Sequence, residues 1–213
     1  TLAWRFYADD NDDRITWAYG TPHGWMGTSS LSANDGNNRS NWDINQDIVK
    51  GPLWQHSGGS AQIYKCPSDL STVKVSGKVM PRVRSITMLN WAGGNAGAYG
   101  GWSGPEWRVF LKTGDFNDPG PSSSFIFLDE REDSINDGFW VVDMTGYPDK
   151  PASWKIVDYP ASYHNGSGGL SFADGHSEVR KWVDPRTVPK LQKNGSLPLN
   201  VASPNNRAVL WLQ

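Results

Sequence analysis

Cysteine is almost missing from this sequence, since Cys66 is the single one among 213 residues. An internal disulfide is therefore excluded, and Cys66 has no cysteine partner with which to form a zinc motif. Histidine is also scarce, and no spacing typical of zinc ligands connects the four that occur: His23, His56, His164 and His176.

Two further absences limit the partners of the chain. No stretch approaches the roughly 20 apolar residues that a membrane-spanning helix needs. Neither sign of charge dominates, since 20 Lys and Arg residues oppose 22 Asp and Glu and leave a net charge of -2. Proteins that bind nucleic acids or anionic membrane surfaces through charge usually carry a clear basic excess. We therefore expect no nucleic-acid partner.

Catalytic motifs are absent as well. The sequence contains no nucleophile elbow, no zinc-protease motif and no phosphate-binding loop. Asp129 and Glu130 are neighbours on a predicted strand, so their side chains point to opposite faces and cannot act together across one cleft. Asp129 with Asp133 or Asp137 remains as a carboxylate pair, but polar turn residues explain these aspartates more simply. The sequence therefore predicts a protein that is not an enzyme.

Tryptophan, glycine and proline are abundant, with 12, 23 and 14 copies. Glycine and proline interrupt regular secondary structure, so much of the chain should be loop. In a loop-rich protein the large amphipathic tryptophan rings either hold loops onto the core or form exposed platforms for a flat ligand such as a sugar. The sequence leaves both roles open.

The pattern of apolar residues predicts an α+β fold in one globular domain, residues 1–213. Its parts are the end of an N-terminal helix, a loop-rich aromatic insertion and a C-terminal antiparallel sheet, at residues 1–9, 15–120 and 124–183. Within the insertion, residues 62–69 are consistent with a short strand.

A β-hairpin is predicted around Asp174–Gly175, which lies between two alternating segments. Such a pair favours a two-residue type I′ turn, because that turn needs positive φ at both central positions. In the resulting register Leu170 faces Val179. Leu170, Phe172 and Val179 should then share the buried face of the hairpin, with Trp182 on the other face.

Four segments of the chain follow one another in a recognisable order. His164 is followed by nine residues and then by Asp174–Gly175, which is an H-X9-DG pattern. The others are YADDNDDR at 7–14, YKCPSD at 64–69 and DEREDSINDGFW at 129–140. Together they resemble the prepilin-type processing-associated H-X9-DG family, the pseudopilin and type IV pilin-like proteins of planctomycetes and verrucomicrobia.

The resemblance implies a pilin-like fold, in which a long N-terminal helix packs on the antiparallel sheet. It also implies that a leader, a prepilin-peptidase site and a hydrophobic helix precede Thr1. The full-length precursor would then be anchored in a membrane, with this domain outside the cytoplasm, at the cell surface or in the periplasm. That helix would provide the contact with the membrane and with other pilin-like subunits.

The resemblance further assigns His164, Asp174 and Gly175 as family-motif residues with a structural role. Members of the family often carry a cysteine in the preceding helix. A disulfide from Cys66 to such a cysteine is one alternative, and a lone buried thiol is the other.

From these observations we expect a non-catalytic, exported surface protein whose aromatic surface binds a β-glucan-like polysaccharide. The segment 91–107 is too rich in glycine for a packed core of its own, yet it carries the candidate carbohydrate-binding residues Trp91, Tyr99, Trp102 and Trp107. A purely structural subunit of a type II secretion or type IV pilus-like assembly is the alternative. A polysaccharide-degrading enzyme is the third hypothesis.

Calcium is the cofactor that the sequence suggests, because oxygen ligands are plentiful around Asp133, Asp137 and Asp174. Some major pseudopilins bind calcium near the C-terminal sheet, which the resemblance extends to these residues. Ordinary turn aspartates are the simpler explanation of the same pattern.

Overall fold

The computed structural model describes residues 1–19, 23–26, 30–31, 35–93 and 107–213. The α-helices among them are α1 (Leu2–Asp9) and α2 (Arg207–Leu212). The strands are β1 (Thr72–Val75), β2 (Lys78–Pro81), β3 (Ile86–Leu89), β4 (Phe125–Asp129), β5 (Phe139–Trp140), β6 (Lys155–Ile156), β7 (Ser167–Phe172), β8 (Ser177–Lys181) and β9 (Val201–Ala202).

The centre of the structure is a five-stranded sheet with the order β5-β3-β4-β7-β8. The pairs β3–β4, β4–β7 and β7–β8 are antiparallel, whereas β3 and β5 are parallel. Two small sheets, β1–β2 and β6–β9, lie outside it. All five residues of β4 are buried, as expected for a central strand whose apolar side chains contact other elements on both faces.

Helix α1 is stabilised by packing rather than by its length. At eight residues it is shorter than the roughly 12–15 residues at which an isolated helix becomes marginally stable. Trp4, Tyr7 and Ala8 form its buried face, at the i, i+3, i+4 spacing of one helix side. The Trp4 ring contacts the Phe116 ring edge-on, with centroids 5.9 Å apart.

The predicted pilin-like α+β fold is wrong. The described residues form mostly β-structure, in sheets of two, five and two strands, and α1 is the longest α-helix among them. Helix α1 ends at Asp9 because the chain turns at Asp12 and Asp13, which have positive φ values of 54° and 62°. A left-handed conformation at these positions cannot continue a right-handed helix. In the described part of the chain, neither helix has the length and apolar character needed to cross a membrane.

The region predicted as an insertion, residues 15–120, supplies part of the central sheet. Strand β3 lies in this region and pairs with both β4 and β5. The sheet is therefore not confined to residues 124–183. The short strand expected within residues 62–69 is also wrong, because the chain forms a 3-10 turn at Ala61–Tyr64 instead.

The hairpin predicted at Asp174–Gly175 forms between β7 and β8, but its register differs by one residue. Leu170 pairs with Glu178 and Gly169 with Val179, so the loop has three residues rather than two. Gly175 has a φ of +100°, the conformation that a three-residue hairpin loop requires at its last position.

The shift of one residue exchanges the faces of β8. Val179, predicted as buried, is 67% exposed, whereas Trp182, predicted on the opposite face, is 3% exposed. Successive side chains on a strand point to opposite faces, so a register error of one residue inverts each assignment. The Trp182 indole N–H donates a hydrogen bond of 3.0 Å to the Ala161 carbonyl oxygen, which holds the end of β8 against the neighbouring segment.

Two acidic side chains are buried next to the end of β4. Burial, and then the charge of Asp158, raise the pKa of Glu130 well above its ordinary value. Burial raises the pKa of Asp158 to about 8, although the Val141 N–H donates a hydrogen bond to this carboxylate. The Ser134 hydroxyl donates a hydrogen bond of 2.7 Å to Glu130 Oε1. This pair therefore favours a protonated form in the folded protein near neutral pH.

We expect Gly175→Val to lower the free energy of unfolding by about 1 kcal/mol or more, because a β-branched residue resists positive φ. The cost should come from the backbone, since an added Cβ would meet only the Arg5 guanidinium at 3.8 Å. Urea denaturation measures this change. Gly120→Val is the control, because Gly120 has no positive φ and open space around it. Equal stability of the two variants would contradict the three-residue loop.

We also expect Asp158→Asn to flatten the dependence of stability on pH. In the unfolded chain an aspartate loses its proton near pH 4, whereas in the folded protein the pKa of Asp158 is about 8. The unfolded state then binds fewer protons, so the stability of the wild type falls as the pH rises from about 4 to 8. Asparagine does not ionise, so it contributes nothing to the pH dependence of stability. Its side-chain oxygen can still accept the hydrogen bond from the Val141 N–H.

Thermal melts of both proteins across this pH range should therefore show that the stability of the variant increases relative to that of the wild type as the pH rises. Asp149→Asn, at an exposed aspartate, is the control. Parallel pH profiles for Asp158→Asn and the wild type would show that the buried carboxyl group is ionised in the folded state.

Candidate functional site

Two of the four aromatic residues predicted to bind carbohydrate, Trp91 and Trp107, lie within the described residues. Trp91 is buried, and its indole N–H donates a hydrogen bond of 3.0 Å to the Val142 carbonyl oxygen. Trp107 is half-buried, and its ring meets the Tyr147 ring edge-on at a centroid distance of 5.9 Å. Tyr99 and Trp102 lie outside the described residues.

Trp91 and Trp107 line the same open groove, whose volume is about 1080 Å³. This volume is slightly above the roughly 300–1,000 Å³ typical of ligand pockets. We call it the aromatic groove. Its lining includes the half-buried rings of Trp107 and Trp211, the exposed ring of Tyr147 and the buried rings of Trp91 and Phe125.

Helix α2 forms one wall of the aromatic groove. It begins after Asn206, whose side-chain oxygen accepts a hydrogen bond of 2.8 Å from the Ala208 N–H and so caps the helix. Trp211 lies parallel to the ring of Phe125, with centroids 6.4 Å apart and planes inclined by 8°. The helix is therefore attached to the start of β4 through an aromatic contact.

A charged group also lies over the ring of Trp211. The Arg180 guanidinium lies 3.6 Å from the Trp211 ring centroid, within the range of a cation–π interaction. Arg180 comes from β8 and is half-buried, with its Nη1 3.9 Å from Glu178 Oε1. Strand β8 and helix α2 are thus connected by a stacked tryptophan and arginine.

Polar side chains surround these rings. Arg108 donates a hydrogen bond of 3.2 Å to the Asp118 carbonyl oxygen, and Ser122, His176 and Arg207 are exposed along the same lining. Such a lining can contact the apolar face of a ring-shaped ligand and bond to polar groups at its edge. The chemistry of the aromatic groove is therefore suited to binding.

The family-motif residues lie in two places. Asp174 and Gly175 form the hairpin loop, where Asp174 Oδ1 accepts a hydrogen bond of 3.0 Å from the His176 N–H. Hydrogen bonds from His176 hold the pKa of Asp174 below its usual value. His164 lies elsewhere, with its Nε2 3.3 Å from Cys66 Sγ. The H-X9-DG pattern therefore does not mark one compact site.

The candidate calcium ligands are separated as well. Asp133 is buried and accepts two hydrogen bonds from Arg131, of 2.5 and 2.9 Å, and one of 2.7 Å from the Gln192 N–H. Asp137 accepts a hydrogen bond from the Phe139 N–H, and burial raises its pKa to about 6. Within the described residues, these aspartates are not part of any cluster of three potential metal ligands.

Sequence reasoning missed Tyr147, Trp211 and Arg180. The sequence marks Trp211 only as an aromatic residue near the C-terminus, and nothing local connects it to Arg180. The predicted hairpin register would have placed Arg180 on the face opposite to the one it occupies. In the observed register Leu170 pairs with Glu178, and Arg180 is two residues further along the strand. Arg180 therefore lies on the same face as Leu170, which is the face that contacts α2.

Comparison with protein-family models, with curated proteins and with solved structures returned no match to this chain. The function proposed below therefore depends on the side chains and the geometry of the aromatic groove.

Proposed function

We propose that this protein is a non-catalytic, exported surface protein that binds a β-glucan-like polysaccharide in the aromatic groove. The observation that supports the proposal most is that the rings of Trp107 and Tyr147 line one groove with a polar rim, beside the stacked pair Trp211 and Arg180. Two of the residues predicted from the sequence, Trp91 and Trp107, line this groove.

The proposal divides the roles of the tryptophans. Trp91 supports the groove from beneath, since it is 6% exposed and its N–H is bonded within the protein. Trp107 offers a ring to the ligand, because it is half-buried and its contact with Tyr147 is edge-on, at an angle of 70°. The sugar rings of a polysaccharide would lie against these rings, and their hydroxyl groups would bond to the rim.

The rim supplies both donors and acceptors for sugar hydroxyls. Arg108 and Arg207 donate hydrogen bonds, whereas Ser122 and the carboxylate of Asp118 can accept them. A neutral polysaccharide satisfies both kinds of group without adding a charge. The alternative, a structural subunit of a pilus-like assembly, was based on a pilin-like fold and is not carried forward.

Trp107→Ala should weaken polysaccharide binding by about tenfold or more, because a central aromatic anchor typically contributes about 2 kcal/mol or more and about 1.4 kcal/mol corresponds to tenfold. Affinity electrophoresis in soluble β-glucans and pull-down with insoluble glucans measure the change. Trp54→Ala is the matched control, since Trp54 is also half-buried against the core but does not line the groove.

A wild-type protein that binds no glucan in either assay would contradict the proposal. So would an equal loss of binding in both variants, since that result would indicate a general effect on folding. Binding of acidic glycans in place of glucans would keep the groove as the site and would assign its arginines, rather than its rings, the main role.

A further inference from the structure

Three side chains from distant parts of the chain meet at the end of β4. Cys66 follows the 3-10 turn Ala61–Tyr64, Asp129 is the last residue of β4, and His164 precedes β7. One potential ligand atom from each lies within 4.8 Å of the others. Cys66 Sγ and His164 Nε2 are 3.3 Å apart. We call this group the Cys–Asp–His cluster.

We propose that the Cys–Asp–His cluster binds a divalent transition-metal ion, with Cys66 Sγ, His164 Nε2 and a carboxylate oxygen of Asp129 as ligands. A thiolate, an imidazole and a carboxylate are a donor set that suits Zn²⁺. Zinc bonds of about 2.0–2.3 Å in a tetrahedral arrangement separate neighbouring ligand atoms by roughly 3.2–3.8 Å. The sulfur–nitrogen distance already lies in that range, and small side-chain rotations would bring in the carboxylate.

The two carboxylate oxygens of Asp129 differ in their hydrogen-bond partners. Asp129 is 3% exposed, and its Oδ1 accepts a hydrogen bond of 2.5 Å from the Ser85 hydroxyl. Its Oδ2 is also buried and has no nitrogen or oxygen donor among the described residues, and the neighbouring donor to this carboxylate is the Cys66 thiol. A thiol is a weak donor, so a metal ion would satisfy the buried carboxylate better.

Ser85 positions two of the three ligands at once. Its hydroxyl oxygen accepts a hydrogen bond of 2.9 Å from the Cys66 N–H while the same hydroxyl donates to Asp129. Ser85 is itself completely buried. Metal ligands are commonly oriented by hydrogen bonds of this kind from residues behind them.

The position of His164 is set by the backbone around it. The Ala161 N–H donates a hydrogen bond of 2.7 Å to the Asp129 carbonyl oxygen and so connects the segment before His164 to the end of β4. Asn165 and Gly166, with positive φ values of 54° and 76°, then turn the chain back into β7. The imidazole is therefore held at the mouth of the site by a tight turn.

The cluster opens into a cavity of about 390 Å³, lined by all three of its residues and by apolar side chains that include Trp4 and Phe127. Three protein ligands leave one position of a tetrahedral zinc ion to water. His164 is exposed, so solvent can reach that position. The site thus has an entry path, which a bound metal requires.

A cysteine nucleophile activated by histidine is the competing explanation. Such a nucleophile needs a lowered pKa, so that it is a thiolate near neutral pH. Here burial and the Asp129 charge raise the pKa of the Cys66 thiol. A metal ion would take both groups in their deprotonated forms, because the thiolate and the carboxylate are the forms that act as ligands.

The test is metal binding by the reduced, chelator-treated protein. Zn²⁺ should bind with a stoichiometry of one in competition with a chromogenic chelator, and Co²⁺ should give a thiolate-to-metal charge-transfer absorption. Zinc should also raise the thermal midpoint of the wild type, because a ligand that binds only the folded state stabilises it. Absence of zinc binding, or a cobalt spectrum without the thiolate band, would overturn the proposal.

Variants identify the ligands. Cys66→Ser should remove the thiolate band, and His164→Ala should weaken zinc binding by at least 100-fold. Ser85→Ala should weaken it by about 10–100-fold, the usual cost of losing a residue that orients a ligand. His23→Ala is the control, because His23 is an exposed histidine outside the cluster. His164 is exposed as well, so its substitution should leave the fold intact.

If folded His164→Ala bound zinc as tightly as the wild type or as His23→Ala, the assignment of ligands would be wrong. The same variants should also be assayed for polysaccharide binding. None of the substituted residues lines the aromatic groove, so zinc binding and polysaccharide binding can fail independently of each other.

Discussion

The pairing of β4 with a strand on each side is the constraint on which the rest of the structure depends. β3 and β7 bind its two edges, and its five residues are all buried. The register of β4 and β7 shifts between Phe125 and Phe127, so the two ends of β4 are aligned differently with β7. A central strand satisfied on both edges and both faces has little freedom to move. The positions of its end residues are therefore well determined.

Both candidate sites begin at those ends. Phe125, at the start of β4, contacts Trp211 and so attaches helix α2 and one wall of the aromatic groove. Asp129, at the other end, supplies a carboxylate to the Cys–Asp–His cluster. The strand is thus a rigid support from which a broad aromatic groove and a small polar cluster are both built. Sites on rigid elements hold their side chains more precisely than sites on loops.

The polar segment that follows β4 is kept inside the protein by specific partners. The Glu130 N–H donates to the Ser85 carbonyl oxygen at 2.8 Å, and the Ser134 hydroxyl accepts a hydrogen bond from the Tyr159 N–H. Arg131 pairs with Asp133 through two hydrogen bonds. Burial of charged and polar groups is costly unless they are paired or neutral. Burial raises the pKa of Glu130, so the neutral form of this carboxyl group is favoured there.

The sequence by itself determined the elements that depend on neighbouring residues. An apolar run rich in β-forming residues predicted β4, alternating segments predicted β7 and β8, and the Asp-Gly pair predicted the hairpin between the last two. Tertiary structure decided the register of that hairpin, because a three-residue loop differs from a two-residue loop by a turn geometry that the same residues can adopt. It also decided which tryptophans are buried, since burial depends on what packs against each ring.

The sites depended most on tertiary structure. Cys66 and His164 are 98 positions apart, and Arg180 lies on a strand whose faces the predicted register had exchanged. No local pattern records that such residues touch, because strand pairing and helix docking bring them together only when the whole sheet forms. The segments YKCPSD, DEREDSINDGFW and H-X9-DG were recognisable in the sequence, but only the folded sheet showed that each gives one side chain to the Cys–Asp–His cluster.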